Sequence, residues 1–307
     1  MDIKFVPQDQ IDKVKWNSCI HYASNGNIFG YMWYLDHVAK DWDALVEGDY
    51  ESVLPLVWRN HWLGGKELYQ PGLMRELGVY SNNVLSQKRV EAFLDAIPSE
   101  YRSVQITLNE QNVQLDENKY DLSLRTNYQI LLAQPYEKIS SAYSPAIQKQ
   151  LAKTAKHTLV PTTSLKPETI ADFYRKYSSN RKQLDRHFHA LQRIMYNVLH
   201  RGWGFASGLL DEQGELLACN FFIYSHKKAI SLVPLQSQKG AERGALAYLM
   251  DLFIRNHADR PMILDLNTKE ENELGIALGA QANEYYHLQR KPEGVLGRWG
   301  IVGLKPT

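Results

Sequence analysis

The sequence predicts a mixed α/β fold, helices packed on a mixed sheet, built twice along one chain. Three observations carry this expectation. Residues 42–72 and 204–235 run through the same signals in the same order: an apolar strand, an acidic-glycine turn, a second strand, a break, and a third short strand that stops at proline. Strands and amphipathic helices alternate through the rest of the chain, as in mixed α/β domains. The length of 307 residues suits two domains of about 150 residues each. The expected division is 1–143 and 144–307.

In the first half, residues 3–6 read as a short strand and 8–23 as a helix with Ile11, Val14 and Ile20 on one face. Residues 24–27 form a turn, and the aromatic-dense segment 28–36 packs between layers. Segments 44–46 and 53–58 flank Glu47-Gly48-Asp49, a hairpin signal. Gly64-Gly65 turns the chain before a strand over 67–70, which Pro71-Gly72 ends. A helix over 87–97 presents Val90, Phe93, Leu94 and Ile97 and stops at Pro98. Residues 103–108 alternate as a strand, 109–118 read as a polar surface loop, and 128–132 as an apolar strand closed by Gln134-Pro135. A basic amphipathic helix over 144–157 places Lys149, Lys153 and Lys156 on a shared face.

The second half begins near 158–165. Pro167 opens a helix through Tyr177. A second helix over 183–200 has Leu184, Leu191, Met195 and Leu199 on its apolar side, and Gly202 and Gly204 end it. Strands 205–210, 215–224 and 230–235 follow, separated by turns at 211–214 and 225–228. The polar, glycine-bearing loop 236–244 leads into a strong helix over 245–256. Residues 262–266 read as a buried strand, 272–278 as a short helix, and 285–288 as a last strand.

Composition is that of a water-soluble globular chain: 44% hydrophobic, 22% charged and a net charge of +1. That balance argues against a dedicated nucleic-acid binder, which carries an evident basic excess. The start of the chain lacks the basic and apolar regions of a signal peptide, and no run reaches about 18 apolar residues, so the expectation is a cytoplasmic protein without a membrane span. Cys19 and Cys219 each lie in apolar context and read as buried, reduced thiols, with a disulfide between them as the alternative.

Chemistry has few markers here. Zinc-protease, nucleophile-elbow, Walker and dinucleotide motifs are missing from the sequence. In the loop before the strong helix, Gly240 and Gly244 would let a phosphate approach backbone amides, with Lys239 or Arg243 to neutralise it; an ordinary β-to-α turn would look the same. His187 and His189 diverge on a helix and do not form a metal pair. Asp265 ends a buried strand, where it would position an amine or cap a turn. Glu270, Glu271 and Glu273 suit a solvated helix start. Trp58, Trp62 and Tyr69 read as packing.

A meander, a strand ending in Val233-Pro234, a glycine loop, a helix, then Leu264-Asp265-Leu266 and Gly279-Ala280 resembles the GNAT acyltransferase fold. Its duplication resembles the FemAB-type aminoacyltransferases. Val53-Leu-Pro-Leu, Tyr69-Gln-Pro-Gly and Leu77-Gly-Val-Tyr look like the first-domain signature of FemAB-like proteins of the Bacteroidetes type, and 146–157 resembles the basic helix opening their second domain. The likeness spans nearly the whole chain and implies two tandem GNAT-like domains.

It also implies an N-acyl- or aminoacyltransferase using acyl-CoA, or an aminoacyl-tRNA, toward a small-molecule or peptide amine, with no metal. By the resemblance Val233, Leu235, Gln238, Lys239, Gly240, Arg243, Gly244 and Ala245 would hold the acyl donor, the second domain carrying it and the first shaping the acceptor side. Tyr69, Gln70, Lys149 and Lys153 would contact substrate, and Asp265 and Tyr285 are the catalytic candidates. A strand amide would polarise the carbonyl while the amine attacks directly. The chain departs from the pattern in three places: the phosphate-loop residues stand in a shifted register, no tyrosine lies in 273–280, and the long helical-hairpin arm of some aminoacyl-tRNA-dependent members has no counterpart. The rival expectation is a ligand-binding protein that keeps the fold without transferase activity.

Overall fold

Turn chemistry builds both meanders. Gly48 and Tyr50 (φ +55° and +68°) reverse the chain in the first, and Gly214 (φ +79°) in the second. A computed structural model describes residues 1–61, 64–112, 115–154, 157–178 and 181–290, without the side chains of 181–186. The expectations for Trp62, Lys156 and the Leu184 side chain lie outside the described residues.

The first copy contains β1 (Ile3–Val6), α1 (Lys13–Tyr22), α2 (Met32–Val38), β2 (Asp41–Glu47), β3 (Ser52–Asn60), β4 (Lys66–Tyr69), β5 (Tyr80–Ser81), α3 (Gln87–Asp95), β6 (Tyr101–Thr107) and β7 (Asp121–Leu131). Helices α4 (Tyr136–Ser140) and α5 (Pro145–Thr154) lead into the second: β8 (Val160–Thr162), α6 (Pro167–Tyr177), α7 (Arg181–His200), β9 (Gly204–Leu210), β10 (Leu216–Ser225), β11 (Lys228–Ser231), β12 (Leu235–Gln236), α8 (Gln238–Glu242), α9 (Ala245–His257), β13 (Ile263–Asp265), α10 (Glu273–Ala277) and β14 (Gln281–Arg290).

One 14-stranded sheet runs β1-β2-β3-β4-β6-β14-β7-β13-β11-β10-β9-β8, with β5 paired to β3 and β12 to β10 off that path. Counted from its two ends, the order passes through corresponding strands of the copies. β4 is parallel to β6 and β11 is parallel to β13, while the other pairs are antiparallel. Each copy then gives its last strand to the other: β7 pairs with β13, β14 pairs with β6, and the two exchanged strands pair from Gln281↔Gln129 to Gln289↔Asp121.

Burial follows this continuity. One apolar cluster joins Trp16, Phe29 and Trp42 of the first copy to Phe221, Cys219 and Ile230 of the second. Helix α9 is rich in strong helix formers and buries Leu249, Met250, Phe253 and Ile254, most of them on a second cluster with Tyr128 and Ile130 of β7. Truncating Phe253 there would cost about 3–5 kcal/mol. Cys19 and Cys219 are buried and unpaired with each other.

Several expectations change. The strand expected at 230–235 breaks after Ser231, because Val233 N turns to Asn220 Oδ1. The last strand, expected at 285–288, spans Gln281–Arg290 because β7 and β6 pair with it. Residues 8–12 precede the helix, because Asp12 caps it by accepting from Val14 N and Lys15 N. The run 109–118 is not a surface loop throughout: Asn109 and Asn112 are buried, and Asn112 Oδ1 accepts from Val79 N. The strand expected at 128–132 extends back to Asp121, because pairing with β14 supplies hydrogen bonds that its polar sequence did not suggest. Residues 238–242 are helical rather than loop, because Ser237 Oγ caps Gly240 N at 3.0 Å. No helix among the described residues is long and apolar enough to cross a membrane.

Candidate functional site

The exchanged strands carry a polar, charged interior. Side chains alternate along a strand, so Arg125, Asn127 and Gln129 of β7 share a face with Asn283, Tyr285 and His287 of β14. Gln129 is also opposite Asp265 of β13, which adds that carboxylate to the same face. Arg75 and Glu76, from the chain between β4 and β5, and Glu110, just after β6, complete the group.

Arg75 is its centre. Its Nη1 lies 2.7 Å from Glu110 Oε1 and 2.9 Å from Glu76 Oε2, and its Nη2 lies 3.2 Å from Asp265 Oδ2. Lys228 Nζ, from the start of β11, reaches Glu110 Oε2 at 2.8 Å and Asp265 Oδ2 at 3.4 Å. Asn127 Nδ2 donates to Glu110 Oε1 (2.6 Å) and Asp265 Oδ1 (3.0 Å). Gln129 Nε2 donates to both Glu110 oxygens at 3.0 Å and to Asp265 Oδ2 at 3.2 Å. Asn267 N closes the Asp265 shell at 2.8 Å. Glu76 Oε1 accepts from Asn27 and Asn109. Two carboxylates thus share two cations, the arrangement that buried charge requires.

Exposure separates the members. The side chains of Arg75 and Asp265 are 2% and 0% exposed, whereas Lys228 is 24% and Glu110 15% exposed. Of these four, Lys228 and Glu110 are the ones a ligand can meet without rearrangement. Three buried atoms here, Arg75 Nε, Glu76 Oε2 and Asn267 Oδ1, have no hydrogen-bond partner among the described residues, so the Arg75–Glu76 contact is an ion pair without hydrogen-bond geometry.

Charge is tuned accordingly. Burial pushes the Glu76 carboxyl up to about 7 despite Arg75. Burial also opposes the charge on Glu110, but Arg75 and Lys228 outweigh it and hold that carboxyl down at about 2. Desolvation of Arg75 and Lys228 is likewise outweighed, by Asp265 first, so both stay protonated more firmly than usual. Burial raises the Tyr285 hydroxyl to about 12.

Asp265 and Tyr285, chosen from sequence as catalytic candidates, therefore come together, through an arginine that sequence reading missed. The Arg75 guanidinium is 5.3 Å from the centre of the Tyr285 ring, and the Tyr285 hydroxyl donates to Thr268 O at 2.8 Å. Tyr69 and Gln70 lie elsewhere in the first copy. Tyr69 carries the Arg59 guanidinium 4.8 Å above its ring, and Gln70 bridges Met74 O and Thr107 N.

The residues expected to hold a donor surround the start of α9. Gly244 takes φ +68° and supplies no side-chain cap, while Gln236 Oε1 accepts from Leu246 N at 3.2 Å. Ala245 is buried behind it, and Leu235 and Gln238 stand at β12 and the first turn of α8. Gly240 presses on the Leu217 carbonyl, so its missing Cβ serves packing. Lys239 is engaged by Asp211 and Glu215, and Arg243 approaches Glu212 at 3.4 Å. Val233 N, in the break between β11 and β12, donates to the buried Asn220 Oδ1 at 3.2 Å.

Helix α5 lies against this start: Thr154 Oγ1 donates to Arg243 O at 2.7 Å. Lys149, Lys153, Gln150 and His157 then line a cavity of 250 Å³ with Arg243 and Glu242. Two separate sequence expectations, a basic helix and a basic loop, thus meet in one recess. The charged network gave a weaker signal. Ser123, Arg125, Asn127 and Gln129 alternate with less polar residues, which marks a strand with one polar face, and its central place in the sheet was not legible.

No protein-family model matches the chain, and no curated protein does. Solved structures do. The crystal structure of FemX aligns at TM-score 0.60 with 9% identity, covering 94% of this chain and 97% of that one. L-PGS from Bacillus licheniformis aligns at 0.55 with 10% identity over 94% of each chain. A tandem GNAT protein from the clavulanic acid biosynthesis pathway aligns at 0.51 with 12% identity, covering 94% and 98%. At such identities the likeness shows the fold alone: the chain has the tandem GNAT, FemAB-like fold that its sequence led us to expect.

Proposed function

We propose that the chain moves an acyl or aminoacyl group from a phosphate-bearing carrier, acyl-coenzyme A or aminoacyl-tRNA, to an amine. One observation carries this reading. The recess beneath α5 places Lys149, Lys153 and Arg243 beside the start of α9, where helix geometry already favours an anion. In this reading residues 144–307 hold the donor and 1–143 shape the acceptor side.

The acceptor amine, neutral once its ammonium form has lost a proton to solvent, attacks the donor carbonyl. The bond to the carrier's sulfur or oxygen breaks, and the proton the amine then sheds passes through solvent to the departing sulfur or oxygen. A carbonyl oxygen reaching Val233 N would displace Asn220 Oδ1. Glu110, with its low pKa, serves as a fixed negative charge for an ammonium rather than as a base. Asp265 and Tyr285 act as positioning residues, holding Arg75 and Lys228.

Calorimetry with coenzyme A and acetyl-coenzyme A, and filter binding with aminoacyl-tRNA, test the proposal. The double substitution Lys149→Glu/Lys153→Glu should weaken binding about tenfold or more without altering the melting temperature. Gly244 is a poor place for such a test, since any side chain there meets Gln150 and Thr154. If none of the three carriers binds at millimolar concentration, the donor assignment fails. The engaged state of Val233 N, Lys239 and Arg243 favours the second reading, a ligand-binding protein of the same fold. Saturable binding without transfer to any amine would select it.

A further inference from the structure

We propose that a cavity at the junction of the two copies binds a neutral planar ring with hydrogen-bonding edges, an aromatic nitrogen heterocycle. The cavity has a volume of 380 Å³, within the ~300–1,000 Å³ range of small-molecule sites. The first copy lends His21, at the end of α1, and Tyr31. The second lends Trp203, Ser225 and His226.

Its walls are aromatic. The Tyr31 ring centre lies 6.4 Å from Trp203 and 5.9 Å from His226, at tilts of 37° and 41°. Faces inclined in this way suit a flat ligand stacking on one and edge-on to another. The Arg201 guanidinium already stands 4.8 Å over Trp203, which leaves that ring less to offer a cationic ligand. No carboxylate lines the cavity among the described residues. A neutral ring fits this charge pattern.

The polar edge is defined. His226 Nε2 is 3.0 Å from Ile20 O, which can only accept, so Nε2 carries the hydrogen. Nδ1 then accepts from the Ser225 hydroxyl at 2.8 Å, which leaves the Ser225 oxygen free to accept from a ligand N–H. Burial lowers the His226 pKa and keeps this tautomer neutral.

Backbone strain points the same way. His226 and Lys227 are consecutive non-glycine residues at φ +48° and +60°, in a turn where Asn-Gly would sit without cost. Such strain, about 1–3 kcal/mol per residue, concentrates at ligand sites. The site is distinct from the recess under α5. It lies at the Ser225 end of β10, whereas Ser237 N of the donor segment bonds Leu217 O at the other end. At ~3.3 Å per residue the ten residues of β10 span about 30 Å. The inference does not depend on the transferase reading.

Adenosine is the probe, titrated by calorimetry into the full chain. Millimolar or tighter affinity, reduced about tenfold by Trp203→Leu and by His226→Gly, supports the site. His226→Gly relieves the left-handed turn, so it should remain folded and isolates the lost ring contact from misfolding. The Lys149→Glu/Lys153→Glu chain should bind adenosine as the unaltered chain does. No adenosine binding at millimolar concentration, binding undiminished in the two cavity variants, or binding of choline in place of adenosine would each overturn the proposal.

Discussion

The two copies break their fourth strand differently. In the first, the chain leaves β4 at Tyr69 and rejoins β3 as β5 at Tyr80; in the second it leaves β11 at Ser231 and rejoins β10 as β12 at Leu235. The longer excursion carries Arg75 and Glu76 into the middle of the sheet. The shorter one is Leu232-Val233-Pro234, and it leaves a neutral amide held by Asn220. One duplicated backbone position therefore became a charged junction in one copy. In the other it remained a break between two short strands, leading through the Ser237-capped α8 to α9, whose first turn is held by Gln236. Loop length decided this, because only the longer segment can reach across to Asp265 and Lys228 of the other copy.

Removing Arg75 is the most damaging way to test that contrast. Arg75→Met should leave Glu110 and Asp265 under-compensated and cost about 3–5 kcal/mol in urea denaturation. A loss below about 1 kcal/mol would mean that the junction is not held by charge.

The pH response should come next. The Glu76 pKa is raised above its unfolded value, so its contribution is fully present below about 4.5 and is lost as pH rises through about 7. Stability should fall between pH 5 and 8 by on the order of 2 kcal/mol, and Glu76→Gln should remove that slope. Glu110 has the opposite sign: its contribution is present above about 4.5 and is lost as pH falls toward 2. Parallel pH profiles for the unaltered chain and Glu76→Gln would show that Glu76 is not the titrating group.

A smaller effect compares the helices that follow the breaks. Ser237 caps α8 from a buried position, and Ser86 caps α3 from an exposed one at 3.3 Å. Ser237→Ala should cost about 1–2 kcal/mol and Ser86→Ala about 0.5–1 kcal/mol by thermal melting. Equal losses would indicate that burial does not distinguish the two caps. Last, Thr154→Val removes the bond to Arg243 O and should cost about 1 kcal/mol while loosening the cover over α9. An unchanged melting temperature would show that α5 is held by apolar contacts such as Ile147 instead.

Much of the fold was legible because it rests on local rules. Glu47-Gly48-Asp49 and Asp211–Gly214 announced their hairpins, and the apolar stripe of α9 announced its helix. Asp265 was singled out because it ends a short apolar strand, and Lys149 and Lys153 because they recur at one helical turn. Arg75, Glu76 and Glu110 escaped because, apart from the Arg75–Glu76 contact, their partners lie far away in sequence. Arg75 meets Asp265 across 190 positions, and Glu110 sits in a polar run that looks like solvent-facing loop. Asn112 was misjudged for the same reason, since an asparagine serving a buried Val79 amide is indistinguishable in sequence from one serving water.

Sequence by itself determined the periodicities, the turns and the duplication, because each depends on residues a few positions apart. Only the tertiary structure decided that the copies exchange their last strands. A strand's alternation says which residues share a face and not which strand will lie beside it. That exchange brings β7 and β14 together at the centre of the sheet and draws Asp265 and Tyr285 to one arginine. It makes a charged junction from residues that look ordinary in sequence.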